Sequence, residues 1–187
     1  MLNAVLAKKS LGVRITVKGA ISVLLVVLAV MLPQIAHIAG GAAAGSVWLP
    51  MYAPALLAGC LLGWQWGLGV GVLSPVISFG FTTLALGAAM PALSRLPVMT
   101  AELAVFGLVA GAFARKIEKN AFWAFPAVIV AQVSGRLVNF IGSLIAGQSV
   151  QAAWSVIQTG MFGLYLQAAI VPLLVVVSAL VIRNDRD

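Results

Sequence analysis

VWLPMYAPALLAGCLLG, residues 47–63, is apolar enough to cross a bilayer, yet it opens on two prolines and closes on two glycines. Proline removes a backbone donor and fixes φ, so Pro50 and Pro54 disturb the start of a helix. Gly59 and Gly63 remove side chains from its lower half. A segment that only had to cross lipid is better built from Leu and Val. The stretch therefore predicts a short helix with an irregular outer end and a closely packed inner end.

The rest of the chain supplies the setting. Its 187 residues are 63% hydrophobic and 8% charged, whereas a soluble domain has about a quarter of its residues charged. The bilayer is the solvent. Runs near 20 apolar residues match roughly 30 Å of hydrocarbon, and only helices or closed barrels satisfy their backbones there. The runs are continuous rather than alternating, which selects helices. The sequence thus predicts an all-α integral membrane protein, a compact bundle of six transmembrane helices forming a single membrane domain over residues 1–187. The spans fall at about 17–38, 49–63, 66–86, 96–114, 122–145 and 157–182, with a kink near Pro75.

Nine of the eleven basic residues flank these spans. Lys8, Lys9, Arg14 and Lys18 precede the first; Arg115, Lys116 and Lys119 separate the fourth and fifth; Arg183 and Arg186 follow the sixth. With six spans all three groups share one side, so the N and C termini are expected in the cytoplasm. The net charge of +7 is therefore topological, and no nucleic-acid partner is expected. The basic start and the small residues of AGGAAAG imitate a signal peptide, but the run from Gly19 to Ile38 is long enough to span and is expected to be retained. Cys60 is the single cysteine; it is read as a packing residue with no intramolecular disulfide.

Orientation sets the depth of the polar residues. Glu102 lies about six residues inside the outer end of span four, roughly 9 Å deep. Arg136 lies about 14 residues in from the cytoplasmic start of span five, roughly 21 Å, so both fall in the outer half. Asn139 shares the Arg136 face at i+3. His37 ends span one on the outer side, and Trp154 and Gln158 begin span six there, with Gln167 deeper. Ionisable residues inside spans face a cavity or a partner. The candidate binding residues are thus His37, Trp48, Tyr52, Glu102, Arg136, Asn139, Trp154 and Gln158. Two readings stay open: Glu102 and Arg136 form an ion pair that fixes packing, or they line an outward-facing pocket. Trp64, Trp66 and Trp123 read as interfacial anchors on the inner side. Trp48, Trp154, Tyr52 and Tyr165 fit either an anchoring or a binding role.

No phosphate-binding loop, metal-ligand spacing or cysteine pair occurs, and one histidine with one intramembrane carboxylate makes no catalytic set. The sequence is read as non-enzymatic, without a cofactor or metal. No pair of broken half-sequences repeats through the chain, as many secondary transporters show, so solute movement is expected to need a partner. Small residues spaced by four (Gly59/Gly63, Gly63/Gly67, Gly67/Gly71, Gly107/Gly111) allow close helix approach, either inside the bundle or against that partner. The basic inner rim either enforces topology or also holds anionic lipid.

HIAGGAAAGSVWLPMYAPALLAGCLLGWQWGLGVGVLSPVISF and MPALSRLPVMTAELAVFGLVAGAFARK together resemble the substrate-binding S components of energy-coupling factor (ECF) transporters. The resemblance rests on His37, Gly40, Leu49-Pro50-Met51, Pro54, Leu57-Ala58-Gly59, Gly63, Gly67, Gly71, Ser74-Pro75, Ser78, Met90-Pro91, Leu96-Pro97, Met99, Glu102-Leu103 and Gly107, over about residues 31–116. It departs at Tyr52, where that family commonly has His, and at Phe106, where Tyr is expected. It implies a six-helix subunit in a prokaryotic plasma membrane that captures a vitamin or related micronutrient from outside. It further implies docking on a transmembrane coupling subunit driven by two cytoplasmic ATPase subunits, with toppling in the bilayer to deliver the ligand. The loop between helices one and two caps the family's site, and helices four to six build its wall. Helix one usually carries an AxxxA docking motif; here span one offers Gly19, Ala20 and Ser22, with Ala29, but no AxxxA. A membrane scaffold with no small-molecule site is the alternative. A channel is disfavoured because the inner halves of the spans hold almost no polar residues.

Overall fold

In the computed structural model, residues 10–41, 44–87 and 90–184 are described. They form helices α1 (Leu11–Gly40), α2 (Ala44–Trp48), α3 (Tyr52–Leu62), α4 (Trp64–Leu86), α5 (Leu96–Ala112), α6 (Ala114–Lys119), α7 (Ala124–Ile145) and α8 (Val150–Asn184). A 3-10 turn over Ala121–Trp123 leads into α7. Lys8, Lys9 and Arg186 of the basic set, and Ala42 and Ala43 of the small-residue run, lie outside the described residues.

Five segments are long and apolar enough to cross a membrane: Leu11–Gly40, Ala44–Leu62, Trp64–Ala85, Ala121–Ile145 and Val150–Val181. The sixth expected span, Leu96–Ala112, is an apolar helix of 17 residues, about 26 Å long. The chain is a multi-pass, all-helical membrane protein. Two helices run further than the spans assigned to them. Ser10 caps α1 with its hydroxyl facing the Val13 amide at 3.5 Å, which carries that helix back past Arg14 and Lys18. Ser149 accepts from the Ala152 amide at 3.2 Å and starts α8 at Val150. Both are serine caps of the usual kind.

The opening stretch divides where its prolines fall. Leu49 sits at φ +50° between α2 and α3, an uncommon conformation for a branched residue, immediately before Pro50. From Tyr52 to Leu62 the backbone is regular helix, with Pro54 in its first turn. Gly63 then takes φ +102°, a value glycine tolerates, and turns the chain sharply into α4.

The shortest of the long helices, α5, lies at the centre, packed against α3, α4 and α7. Its contact with α4 is backbone on backbone. A Cβ on Gly107 would overlap the Gly67 carbonyl, one on Gly67 the Gly107 carbonyl, and one on Gly71 the Leu103 carbonyl. A Cβ on Gly111 would overlap the Trp64 backbone. Gly67, Gly71, Gly107 and Gly111 of the four-residue spacings therefore serve internal packing, whereas Gly63 serves the turn into α4. At one end of the bundle Lys18 Nζ donates to the Leu62 carbonyl at 3.3 Å, and Lys116 Nζ lies 4.5 Å from the Trp123 ring centre. This is the basic end; the cavity described next is at the other.

Candidate functional site: a polar-floored cavity

Helix α7 is apolar towards lipid and polar along one buried stripe, Gln132, Arg136, Asn139 and Ser143. These positions recur every three or four residues and so share a face. Gln132 Nε2 donates to the Leu164 carbonyl at 2.9 Å and ties α7 to α8. Higher on the stripe, Arg136 and Asn139 meet Glu102 of α5, which has no exposed surface. Arg136 Nη1 is 3.0 Å from Glu102 Oε1, an ion pair whose alignment leaves Oε1 without a hydrogen bond. Oε2 accepts from Asn139 Nδ2 at 2.8 Å and from the Tyr52 hydroxyl at 2.7 Å.

Tyr52 is the keystone on the α3 side. Its ring lies 5.4 Å beneath the Arg136 guanidinium, within cation–π range. On its other side it meets Phe106 edge-to-face, with ring centres 5.1 Å apart. The two positions at which the motif departs from the resembled family, 52 and 106, are thus in contact with each other. A buried charge without a partner is strongly destabilising; here three side chains from two helices surround one carboxylate.

Above this floor opens a cavity of about 510 Å³, within the range that holds small organic ligands. Pro33, Gln34 and His37 of α1, Gly45 and Ser46 of α2, and residues 49–52 form one side. Residues 90–92, Ser94 and Arg95 with Val98 and Met99 form another, and Arg136, Asn139 and Ser143 of α7 with Ser155, Val156 and Thr159 of α8 complete it. The 90–95 wall is pinned to α4: the Met90 amide donates to Thr82 Oγ1 at 2.9 Å, and Ser78 Oγ donates to the Met90 carbonyl at 3.1 Å. The turn at Leu49 is held from α8, where Gln167 Nε2 donates to the Leu49 carbonyl at 2.8 Å and Gly163 admits the Trp48 backbone.

Of the residues expected at the site, Tyr52, Glu102, Arg136 and Asn139 come together as one network, and His37 lines the cavity with Nδ1 3.3 Å from the Gly41 carbonyl oxygen. Trp48, Trp154 and Gln158 are exposed and do not line it. Trp48 packs on Phe162 instead, with ring centres 5.1 Å apart, and contributes its carbonyl to the Leu49 turn. Residues not expected at the site include Gln34, Ser46, Ser143, Ser155, Thr159 and Arg95. Ser143 is findable in retrospect, since it continues the Arg136–Asn139 periodicity. Arg95 gave no signal beyond being basic on the side away from the other charges.

A second, almost wholly apolar groove of about 650 Å³ runs between α1 and α4. Gly19 and Ser22 line it with Val23, Val26, Trp66 and Leu73, while Ala20 is exposed and off it. The Ser22 hydroxyl is buried there without a hydrogen-bond partner.

Comparison with known proteins adds a family. The family model described as "ECF transporter, substrate-specific component" matches residues 13–176, a range that takes in every residue of the polar network and of both cavities. No curated protein and no solved structure matches the chain.

Proposed function

The chain belongs to the family of ECF transporter substrate-specific components, and from that premise we propose that it captures a vitamin or related micronutrient from outside a prokaryotic cell. The captured molecule passes to a transmembrane coupling subunit driven by two cytoplasmic ATPase subunits. The observation that carries this reading is the cavity of about 510 Å³ floored by the Tyr52–Glu102–Asn139–Arg136 network. Polar groups gathered around an apolar-walled space are what fix the orientation of a small ligand. His37 and Gln34 face that floor from α1.

On this reading both termini lie in the cytoplasm, all six helices count as spans, and α5 crosses at its short length because it is shielded by protein on three sides. Docking uses the α1–α4 groove, with Gly19 and Ser22 in it and Ala20 at its edge. Trp48, Trp154 and Gln158 act at the mouth, as anchors or on an entering ligand.

Mass spectrometry of small molecules released from gently purified protein tests the capture step. A retained micronutrient is expected, together with co-purification of a coupling subunit when both are expressed. A preparation that holds no small molecule, gains no thermal stability from any vitamin and brings down no partner leaves only a membrane scaffold. In that case the Glu102–Arg136 pair is purely structural.

A further inference from the structure

The charge balance of the cavity identifies the class of its ligand. The whole chain has four acidic residues, Glu102, Glu118, Asp185 and Asp187. Glu102 has no exposed surface and faces Arg136 at 3.0 Å. Glu118 belongs to α6 at the basic end. Asp185 and Asp187 lie outside the described residues. Arg95, exposed at the start of α5, lines the cavity. Among the described residues the cavity therefore joins two guanidinium groups to one carboxylate, a surplus of one positive charge that no other described acidic side chain lines the cavity to meet.

The hydrogen-bonding inventory has the same bias. Arg136 Nε and Nη2, the two donors along one edge of the guanidinium, are buried without a partner, as is Gln34 Nε2. Unpaired buried donors are rare in native structures, and a guanidinium edge matches a carboxylate with two parallel bonds. Nη2 packs against Gly160 of α8, where a Cβ would stand 2.8 Å away, so the absent side chain is what admits the guanidinium at this position. Asn139 donates one hydrogen bond from Nδ2 to Glu102 and keeps Oδ1 without a partner. Glu102 itself, wholly buried, presents no face to a cation.

Resting on the capture reading, we propose that the ligand is an organic monoanion, a carboxylate held by Arg95 and the free edge of Arg136, with a hydrogen-bond donor for Asn139 Oδ1. One surplus charge matches one carboxylate. A phosphate monoester, at about −1.5 to −2 near neutral pH, exceeds it. The walls at Pro33, Leu49, Met51, Val98 and Met99 receive the apolar body of the molecule.

The test pairs acids with neutral counterparts of nearly the same body: nicotinate with nicotinamide, biotin with biotin amide, pantothenate with panthenol, and thiamine as a cation. Melting temperature of the purified protein is followed with each probe, and the molecule released from the untreated preparation is identified by mass spectrometry. The retained molecule is expected to be a carboxylate, and its neutral counterpart to bind at least about tenfold more weakly. Arg95→Gln, at an exposed position, is expected to weaken the acid about tenfold while leaving the unliganded melting temperature in place. A retained neutral or cationic molecule, equal binding of acid and amide, or an Arg95→Gln variant of full affinity overturns the proposal while leaving capture intact. If nothing is retained and no probe shifts the melting temperature, capture fails and the carboxylate falls with it.

Discussion

Truncating Arg136 leaves Glu102 wholly buried and without a countercharge, which by analogy with other broken buried pairs costs about 3–5 kcal/mol. Arg136→Ala is therefore expected to lower the melting temperature strongly in detergent. Changing both partners (Glu102→Gln with Arg136→Gln) removes the stranded charge and is expected to recover much of the loss; a double variant no more stable than the single one contradicts the ion-pair geometry. Gln167→Leu makes a different point. It leaves the network untouched but releases the Leu49 carbonyl, at a cost of about 1–3 kcal/mol for a buried group left unpaired. Because that turn forms one wall of the cavity, ligand affinity is expected to fall more than the unliganded melting temperature does, checked by titrating the co-purifying ligand against thermal unfolding. At this scale the sequence revealed the pair but not its surroundings. Glu102 and Arg136 are conspicuous because ionisable residues in apolar runs are costly, and counting residues from each helix end placed both at one depth. The partnership of Tyr52 with Glu102 was not legible, since an aromatic near a span end serves an interface or an interior equally well. Trp48 and Trp154 shared that ambiguity, and the sequence carries no rotational register strong enough to say which face of the helix they occupy.

Between residues and fold stand the helix contacts, and here glycine decides the spacing. Gly67→Ala or Gly107→Ala drives a methyl into a backbone carbonyl of the neighbouring helix. Neither α4 nor α5 can relax without separating, so the cost is expected at or above the upper end of the ~1–3 kcal/mol typical of overpacking. Gly69 lies one turn-face away with no atom near its absent side chain. Gly69→Ala is expected to unfold at or above the parent temperature, because alanine is the better helix former by about 1 kcal/mol. Equal loss in all three variants contradicts the α4–α5 packing. Spacings of four made these glycines visible in the sequence, but spacing alone does not say which helix supplies the opposing surface. The same holds for Ser78 and Thr82, whose hydroxyls support the 90–95 wall through Met90; nothing local in α4 announces a bond to a residue beyond its own end. Helices α1 and α8 run beyond their expected spans for a simpler reason. Hydropathy marks where lipid contact stops, whereas Ser10 and Ser149 mark where the backbone begins to be helical.

Across the whole molecule, the two ends differ in kind. Helix α1 begins beside Arg14 and ends beside the cavity residues Gln34 and His37; the 20 residues from Arg14 to Gln34 span about 30 Å as helix, the thickness of a hydrocarbon core. The cavity and the basic end therefore sit at opposite ends of the bundle rather than at one. On the proposed reading, the bias of lysine and arginine to the cytoplasmic side is expected to open the cavity outwards, where a capture subunit needs it. Single cysteines test this directly in a Cys60→Ala background, since the native thiol is buried. Ser94 lines the cavity and Lys119 belongs to the basic end, and both are exposed. A membrane-impermeant thiol reagent applied to intact cells is expected to label Ser94→Cys and to spare Lys119→Cys until the membrane is opened. Micromolar amounts of the retained ligand are expected to slow labelling at Ser94→Cys alone, because only that position borders the occupied space. The reverse pattern places the cavity inside and removes the basis for capture from outside, whatever molecule the cavity holds.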